Sequence, residues 1–330
     1  MLDLSVKYMG LHLKNPIIAG SCGLTQSFDD LQKLENSGVA AITLKSLFEE
    51  QIHLDAAYNA QNKYDLCSDV LQNLGATDLI EHRVRRNYLS NCIETIREAK
   101  EKLTIPIIAS INCITASGWT SFASKLQEAG ADAIELNIAI QLFDPILSSE
   151  AVEDLHLEII EQVRASVSIP ISVKLCPYFA SISQTIKRIS ESGIDGMVLF
   201  NRLLSSDIDI DKMKPVIDCK LSTSDELPNT LRWIALKSGT VPCDLCASTG
   251  IHSGSDVIKI LLAGGVAAQV VSTLYKNGLG QVSKMLDEIE TWMTAKGFSS
   301  IEHFAGMLQY SKVYNQAPYE RLQFMKYYFP

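Results

Sequence analysis

Four stretches of the chain repeat one order of hydrophobic and polar positions: LENSGVAAITLKS (34–46), LQEAGADAIELN (126–137), ISESGIDGMVLFN (189–201) and LLAGGVAAQVVST (261–273). Each reads as the end of an amphipathic helix, a glycine suited to the left-handed residue that stops it, and a short apolar strand closing on a polar residue. A second order places proline at the mouth of a strand, where its missing N–H is tolerated: IPIIASIN (105–112), IPISVKLC (169–176) and VPCDLCAS (241–248). NPIIAGS (15–21) brings the apolar strands to eight. Helical periodicity follows nearly all of them, near 27–37, 90–102, 118–129, 151–166, 181–192, 254–263 and 280–296, with an extra helix near 225–238.

This alternation predicts an α/β chain folded as a (β/α)8 TIM barrel, one domain over 1–330. A doubly wound open sheet shares the same periodicities, because periodicity does not register closure. The opening LDLSVKYMGLHLKN alternates around Met9-Gly10 and predicts a small hairpin over the barrel floor. Segment 47–89, a long loop after strand two, exceeds an ordinary connection. It reads as a lid or substrate loop, or as an insertion at a dimer contact. The C-terminal extension, about 311–330, is too aromatic for a free tail and is expected to pack on the barrel or on a partner subunit.

Composition narrows the function. At 330 residues and 47% hydrophobic the chain can bury a large core. A net charge of -9 argues against nucleic acid and anionic membranes, whose phosphates need clustered Lys and Arg. The N-terminus lacks the apolar core of a secretory signal and no run reaches roughly 18 apolar residues, so a cytoplasmic protein is expected. The eight cysteines stand singly in apolar segments, as reduced thiols do. Cys243 and Cys246 are three apart on a strand and so face opposite ways. The six histidines are isolated and no acidic triplet accompanies them, so no metal is expected; His252 alone adjoins a candidate loop. No G-x-G-x-x-G follows the first strand, which argues against a Rossmann dinucleotide site.

In such barrels the strand ends carry the chemistry. The last polar residues of the strands are Ser21, Lys45 with Ser46, Asn112, Asn137, Lys174, Asn201, Ser248 with Thr249, and Ser272. Two lysines converging on one mouth point to an anionic ligand, since a dry ammonium needs an anion; a structural ion pair is the other reading. After strand seven, ASTGIHSGSDVIKIL (247–261) brings Gly250 and Gly254 to a helix opening at Ser253–Asp256, and VVSTLYKNG (270–278) follows strand eight. Loops seven and eight often hold a phosphate, although a plain helix cap explains the first equally well.

NPIIAGSCG, AAITLKS, ADAIELN, IPISVKLCPYF, GMVLFNR, TGIHSGSDVIKILLAGGVAAQVVSTLYKNG and FSSIEHFAGMLQY together resemble the dihydroorotate dehydrogenase family, over nearly the whole chain. The likeness is to its soluble class 1 type and to a divergent "dihydroorotate dehydrogenase-like" branch. The resemblance implies an FMN-binding oxidoreductase acting on CH–CH bonds, a small-molecule substrate, a place in pyrimidine biosynthesis and a homodimer. It sets Gly20 and Ser21 along the flavin, Lys45 and Ser46 near its ring and polar edge, and Lys174 near N1–C2. Asn137 and Asn201 face the ring and a substrate stacked on it. The phosphate lies by the backbone of Thr249-Gly250 and Val271-Ser272.

Two departures bear on the substrate. Where the family reads E-L-N-x-S-C-P-N, this chain reads Glu135-Leu136-Asn137-Ile138-Ala139-Ile140-Gln141-Leu142. Ile140 thus stands at the catalytic-base position and cannot accept a proton, and Leu142 replaces a substrate-binding Asn. Upstream, QNLGATD (72–78) matches the family's N-x-x-G-L-x-N loop only at Asn73 and Gly75. Cys22, Cys113 and Cys176 are candidate replacement bases, Cys176 the best placed because Lys174 is near in sequence. Arg202, after Asn201, is either a site residue or half of a surface salt bridge. The readings are a dehydrogenase of dihydroorotate or a related dihydropyrimidine, a flavin oxidoreductase with a less polar substrate, and a flavin-binding barrel without turnover.

Overall fold

A computed structural model describes residues 2–52, 88–113, 115–138, 147–203 and 205–320. It opens with an antiparallel hairpin, β1 (Val6–Tyr8) and β2 (Leu11–Leu13), joined through Met9 and Gly10 with φ of 52° and 76°. Positive φ at both turn residues matches the right-handed twist of the flanking strands.

The strands that follow are β3 (Ile17–Ala19), β4 (Ala41–Thr43), β5 (Leu47–Phe48), β6 (Ile107–Asn112), β7 (Ala133–Asn137), β8 (Ile171–Leu175) and β9 (Gly196–Leu199). After them come β10 (Ser205–Asp209), β11 (Lys214–Asp218), β12 (Asp244–Ser248) and β13 (Ala267–Val270). Eight are parallel neighbours in the order β3-β4-β6-β7-β8-β9-β12-β13. The pairing Ala268↔Ile17 between β13 and β3 closes the ring. The barrel is therefore the predicted (β/α)8 fold, and an open sheet is excluded.

The outer helices are α1 (Phe28–Ser37), α2 (Tyr88–Lys102), α3 (Ala116–Glu128), α4 (Ser149–Ser166), α5 (Ile182–Ser190), α6 (Leu227–Lys237), α7 (Gly254–Ala263), α8 (Ser272–Asn277) and α9 (Gln281–Lys296). Caps fix several of them. Ser27 begins α1 by accepting the Asp30 N–H, and Gly38 ends it at φ 103°. Ser253 and Asp256 cap α7 reciprocally, the arrangement that satisfies two otherwise free amides at about 1 kcal/mol per cap.

Beneath the strands, Tyr8, Met9 and Leu13 pack on Ile18, Ala41, Ile108, Ala133, Val198, Cys246 and Ala267. The hairpin thus plugs the floor, and a Cβ at Gly196 would lie 2.7 Å from Met9 Cγ. Two features depart from the sequence expectation. Leu47–Phe48, inside the long segment after strand two, form β5 against β6; residues 53–87 of that segment lie outside the described residues. Beyond Asn201, where the sequence showed no strand pattern of its own, the chain forms the antiparallel hairpin β10–β11, whose apolar residues Ile208, Ile210, Met213 and Ile217 are 60–87% exposed. At the C-terminal end, Arg232 Nε on α6 donates to the Tyr319 carbonyl at 3.0 Å; residues 321–330 are outside the description.

Candidate active site

Alternation along each strand decides what the barrel mouth presents. Glu135 and Asn137 share the inward face of β7, and the register pairs Asn137 with Lys174 on β8 and Glu135 with Ser172. Asn201 follows β9, its N–H bonded to the Leu175 carbonyl, and its side-chain Nδ2 donates to Asn137 Oδ1 at 2.9 Å. Lys174 is 6% exposed, so its ammonium is nearly dry. It donates to Gln269 Oε1 at 3.0 Å and stands 3.8 Å from Glu135 Oε1. A buried pair of this kind leaves a large cost, about 3–5 kcal/mol, if one partner is removed.

A cavity of about 190 Å3 opens above this group. Its lining includes Ser21, Lys174, Asn201, Ser248, Gln269 and the loop residues Thr249 and Gly250. Val271 and Ser272 line it too, so most of the residues picked from strand ends meet here. Gly20 needs its missing side chain: a Cβ there would fall 2.8 Å from Val271 Cγ2. Gly250 is more constrained still, with φ 78° and the backbone nitrogen of Leu227 in the space a Cβ would take. Thr249, also in the left-handed region at φ 80°, is held there with its hydroxyl donating to the Phe200 carbonyl.

Lys45 is placed elsewhere. It lines a second cavity with Thr25, Ser46, Tyr88, Asn91 and Thr95, its ammonium 5.9 Å from the Tyr88 ring centre. The two lysines therefore do not line one cavity. A chain of hydroxyls separates the two spaces: Ser46 N–H donates to Ser21 Oγ at 2.9 Å, and Ser46 Oγ lies 2.7 Å from Ser110 Oγ. Arg202 lines the first cavity and pairs with Glu226 at 2.8 Å, so its salt bridge lies at the cavity edge. His252 Nε2 lies 3.3 Å from Ser222 Oγ, and burial with the nearby Lys276 holds its pKa below the ordinary value.

The three cysteines proposed as bases are poorly suited to the part. Burial pushes Cys22, Cys113 and Cys176 above the usual thiol range, Cys113 also through Glu49 and Glu50. The Lys174 ammonium turns instead to Gln269 and Glu135. Ile140, Leu142, Asn73 and Gly75 lie outside the described residues. Sequence reasoning missed Glu135 and Gln269, although a carboxylate two residues before Asn137 in an apolar strand was a signal for an inward charge.

These residues fit a flavin. The buried Lys174 ammonium suits an edge that gains negative charge on reduction, the Asn137–Asn201 pair presents amide groups to a ring or its ligand, and Gly20 and Gly250 keep side chains out of the loops expected to bind phosphate.

Comparison with known proteins agrees with the geometry. A family model described as dihydroorotate dehydrogenase matches residues 3–293. The catalytic subunit of dihydroorotate dehydrogenase B (NAD(+)) of Thermoplasma acidophilum is 26% identical over 313 residues, covering 93% of this chain and 99% of that protein. The same subunit of Shouchella clausii is 28% identical over 272 residues, 80% of this chain and 85% of its own. Dihydroorotate dehydrogenase A (fumarate) of Lactobacillus helveticus is 25% identical over 324 residues, 94% and 100% of the two chains. With its closed barrel, its buried lysine and a match spanning residues 3–293, the chain belongs to the dihydroorotate dehydrogenase family of FMN-binding oxidoreductases.

Proposed function

We propose that this protein is an FMN-dependent oxidoreductase that takes hydride from dihydroorotate or a related dihydropyrimidine, a pyrimidine-biosynthesis reaction. One observation carries the reading: a buried ammonium, Lys174, and an amide pair, Asn137–Asn201, converge on one barrel mouth. When bound, FMN supplies a two-electron acceptor. Lys174 would hold positive charge against its N1–C2 edge, favouring hydride uptake. Asn137 and Asn201 would orient the substrate, and the backbone at Thr249-Gly250 and Val271-Ser272 would hold the phosphate. Gly20 and Ser21 would line the flavin. Lys45 and Ser46 would act from the neighbouring cavity, close to the ring edge.

A second reading, a less polar substrate, is favoured by Ile140 and Leu142, which make the family's base loop apolar in this chain. The high thiol pKa values of Cys22, Cys113 and Cys176 support it, since none of them offers a ready base at neutral pH. An absorption spectrum followed by anaerobic mixing with dihydroorotate separates the two. Flavin bands that bleach support the first reading; bands that persist leave the second, or a flavin-binding barrel without turnover.

We also place the protein in the cytoplasm as a homodimer. Seven described cysteines are free, as suits a reducing compartment. No described helix is long and apolar enough to cross a membrane. The exposed apolar residues of β10–β11 offer the dimer surface.

A further inference from the structure

The barrel interior holds a charge that hydride transfer does not call for. Glu135 is 1% exposed and faces inward from β7. Its Oε2 accepts from Gln269 Nε2, while its Oε1 receives no hydrogen bond from the described residues and lies 3.8 Å from Lys174 Nζ. Gln269, 2% exposed, bridges the two: its carbonyl oxygen accepts from Lys174 and its amide nitrogen donates to Glu135 and, at 3.3 Å, to Thr43 Oγ1. This is the orientation that an ammonium on one side and a carboxylate on the other impose on an amide.

The other titratable neighbours contribute no charge. Burial holds the Tyr8 hydroxyl and the Cys246 thiol protonated, and Glu135 adds to both effects. The positive charge at the mouth is therefore opposed from below by one carboxylate that water cannot screen.

We propose that Glu135 is a positioning residue that sets the strength of the anion site: with Gln269 it fixes the Lys174 ammonium and offsets its charge, so that Lys174 attracts negative charge at the cofactor edge less strongly than a lone lysine would. The inference rests on the flavin reading above. It explains why an apolar strand carries a carboxylate two residues before Asn137. It also makes the flavin a weaker oxidant than Lys174 alone would.

Sulfite tests this without turnover, because it adds to flavin N5 through its sulfur lone pair and sends negative charge to the N1–C2 edge. Titration of the FMN-loaded protein, followed by loss of the flavin band, gives its dissociation constant. Glu135→Gln removes the opposing charge at constant shape, and the constant is expected to fall about tenfold or more. Glu135→Met removes the same charge with an apolar side chain of similar size, and the constant is expected to fall there too. Glu135→Asp keeps the charge and should stay near wild type. A merely structural role would weaken sulfite binding or leave it unmoved rather than tighten it in both charge-removing variants, and either one alone decides if the other does not fold. Constants unchanged within about twofold in the variant measured overturn the proposal. A protein that takes up no FMN overturns the flavin reading and this proposal together, whereas a loaded protein with unmoved sulfite binding overturns this proposal alone.

Discussion

Asn201 Nδ2 donates to Asn137 Oδ1 at 2.9 Å, joining two side chains that are 64 residues apart in sequence. The bond fixes the orientation of both amides: Asn137 presents its own Nδ2, and Asn201 its Oδ1, to whatever binds above. Asn201→Ala should leave FMN bound but slow flavin reduction by substrate by about fivefold, the effect of one lost hydrogen bond of roughly 1 kcal/mol. Stopped-flow bleaching of the flavin measures it, and a rate equal to wild type would remove Asn201 from the site.

Gly118, in the first turn of α3, faces the buried carboxylate of Glu49, where a Cβ would lie 2.5 Å from Oε1. Glu49 cannot swing away without loss, because it accepts the Thr115 N–H at 2.8 Å and the Thr115 hydroxyl. Gly118→Ala is therefore expected to cost about 1–3 kcal/mol of stability. Thermal unfolding reads the change, and a midpoint equal to wild type would show that the carboxylate moves freely.

His156 on α4 is 2% exposed, bonds the Val152 carbonyl through Nδ1 at 2.7 Å and meets the Phe179 ring edge-on. Burial lowers its pKa, so the folded protein holds it neutral while the unfolded chain protonates near the ordinary value of about 6.5. The stabilisation is complete above that value and is lost as pH falls from there toward the lowered folded pKa. Unfolding free energy should fall below about pH 6.5 with a slope of at most ~1.4 kcal/mol per pH unit from this group. His156→Gln should flatten that part of the profile; equal slopes in chemical denaturation at each pH would contradict the assignment.

The hairpin β10–β11 pairs Ile208 with Pro215 and Ser206 with Ile217, which puts Ile208, Pro215 and Ile217 on one face. Charges there should oppose association without touching the barrel. Ile208→Glu with Ile217→Glu is expected to shift a dimer to monomer in light scattering while the flavin spectrum stays the same. A dimer of unchanged stability would move the interface elsewhere.

How much of this was written in the sequence follows from the range of the forces involved. The eight strands, the helices around them and the Met9-Gly10 turn were legible because alternation, helical periodicity and glycine stops are local. The Ser253–Asp256 cap at the start of α7 was legible for the same reason. The hairpin β10–β11 was not read from the sequence, because a stretch that follows a strand end at the mouth looks like a connecting loop until its two halves are seen to pair. Strand ends nominated Ser21, Lys174, Asn201, Thr249 and Ser272, which line one cavity, and Asn137, which joins it through Asn201, since a strand's last inward residue must face the mouth.

Only the tertiary structure decided the rest. Closure depends on β13 meeting β3, and the Lys174–Gln269–Glu135 arrangement joins residues 95 and 134 positions apart. Lys45 and Lys174 look equivalent as strand-end lysines, yet their side chains enter different cavities, because direction at a strand end is set by packing against neighbours. The sequence by itself determined a barrel with a polar mouth; which charges face each other inside it is a matter of register and side-chain packing, which no local pattern encodes.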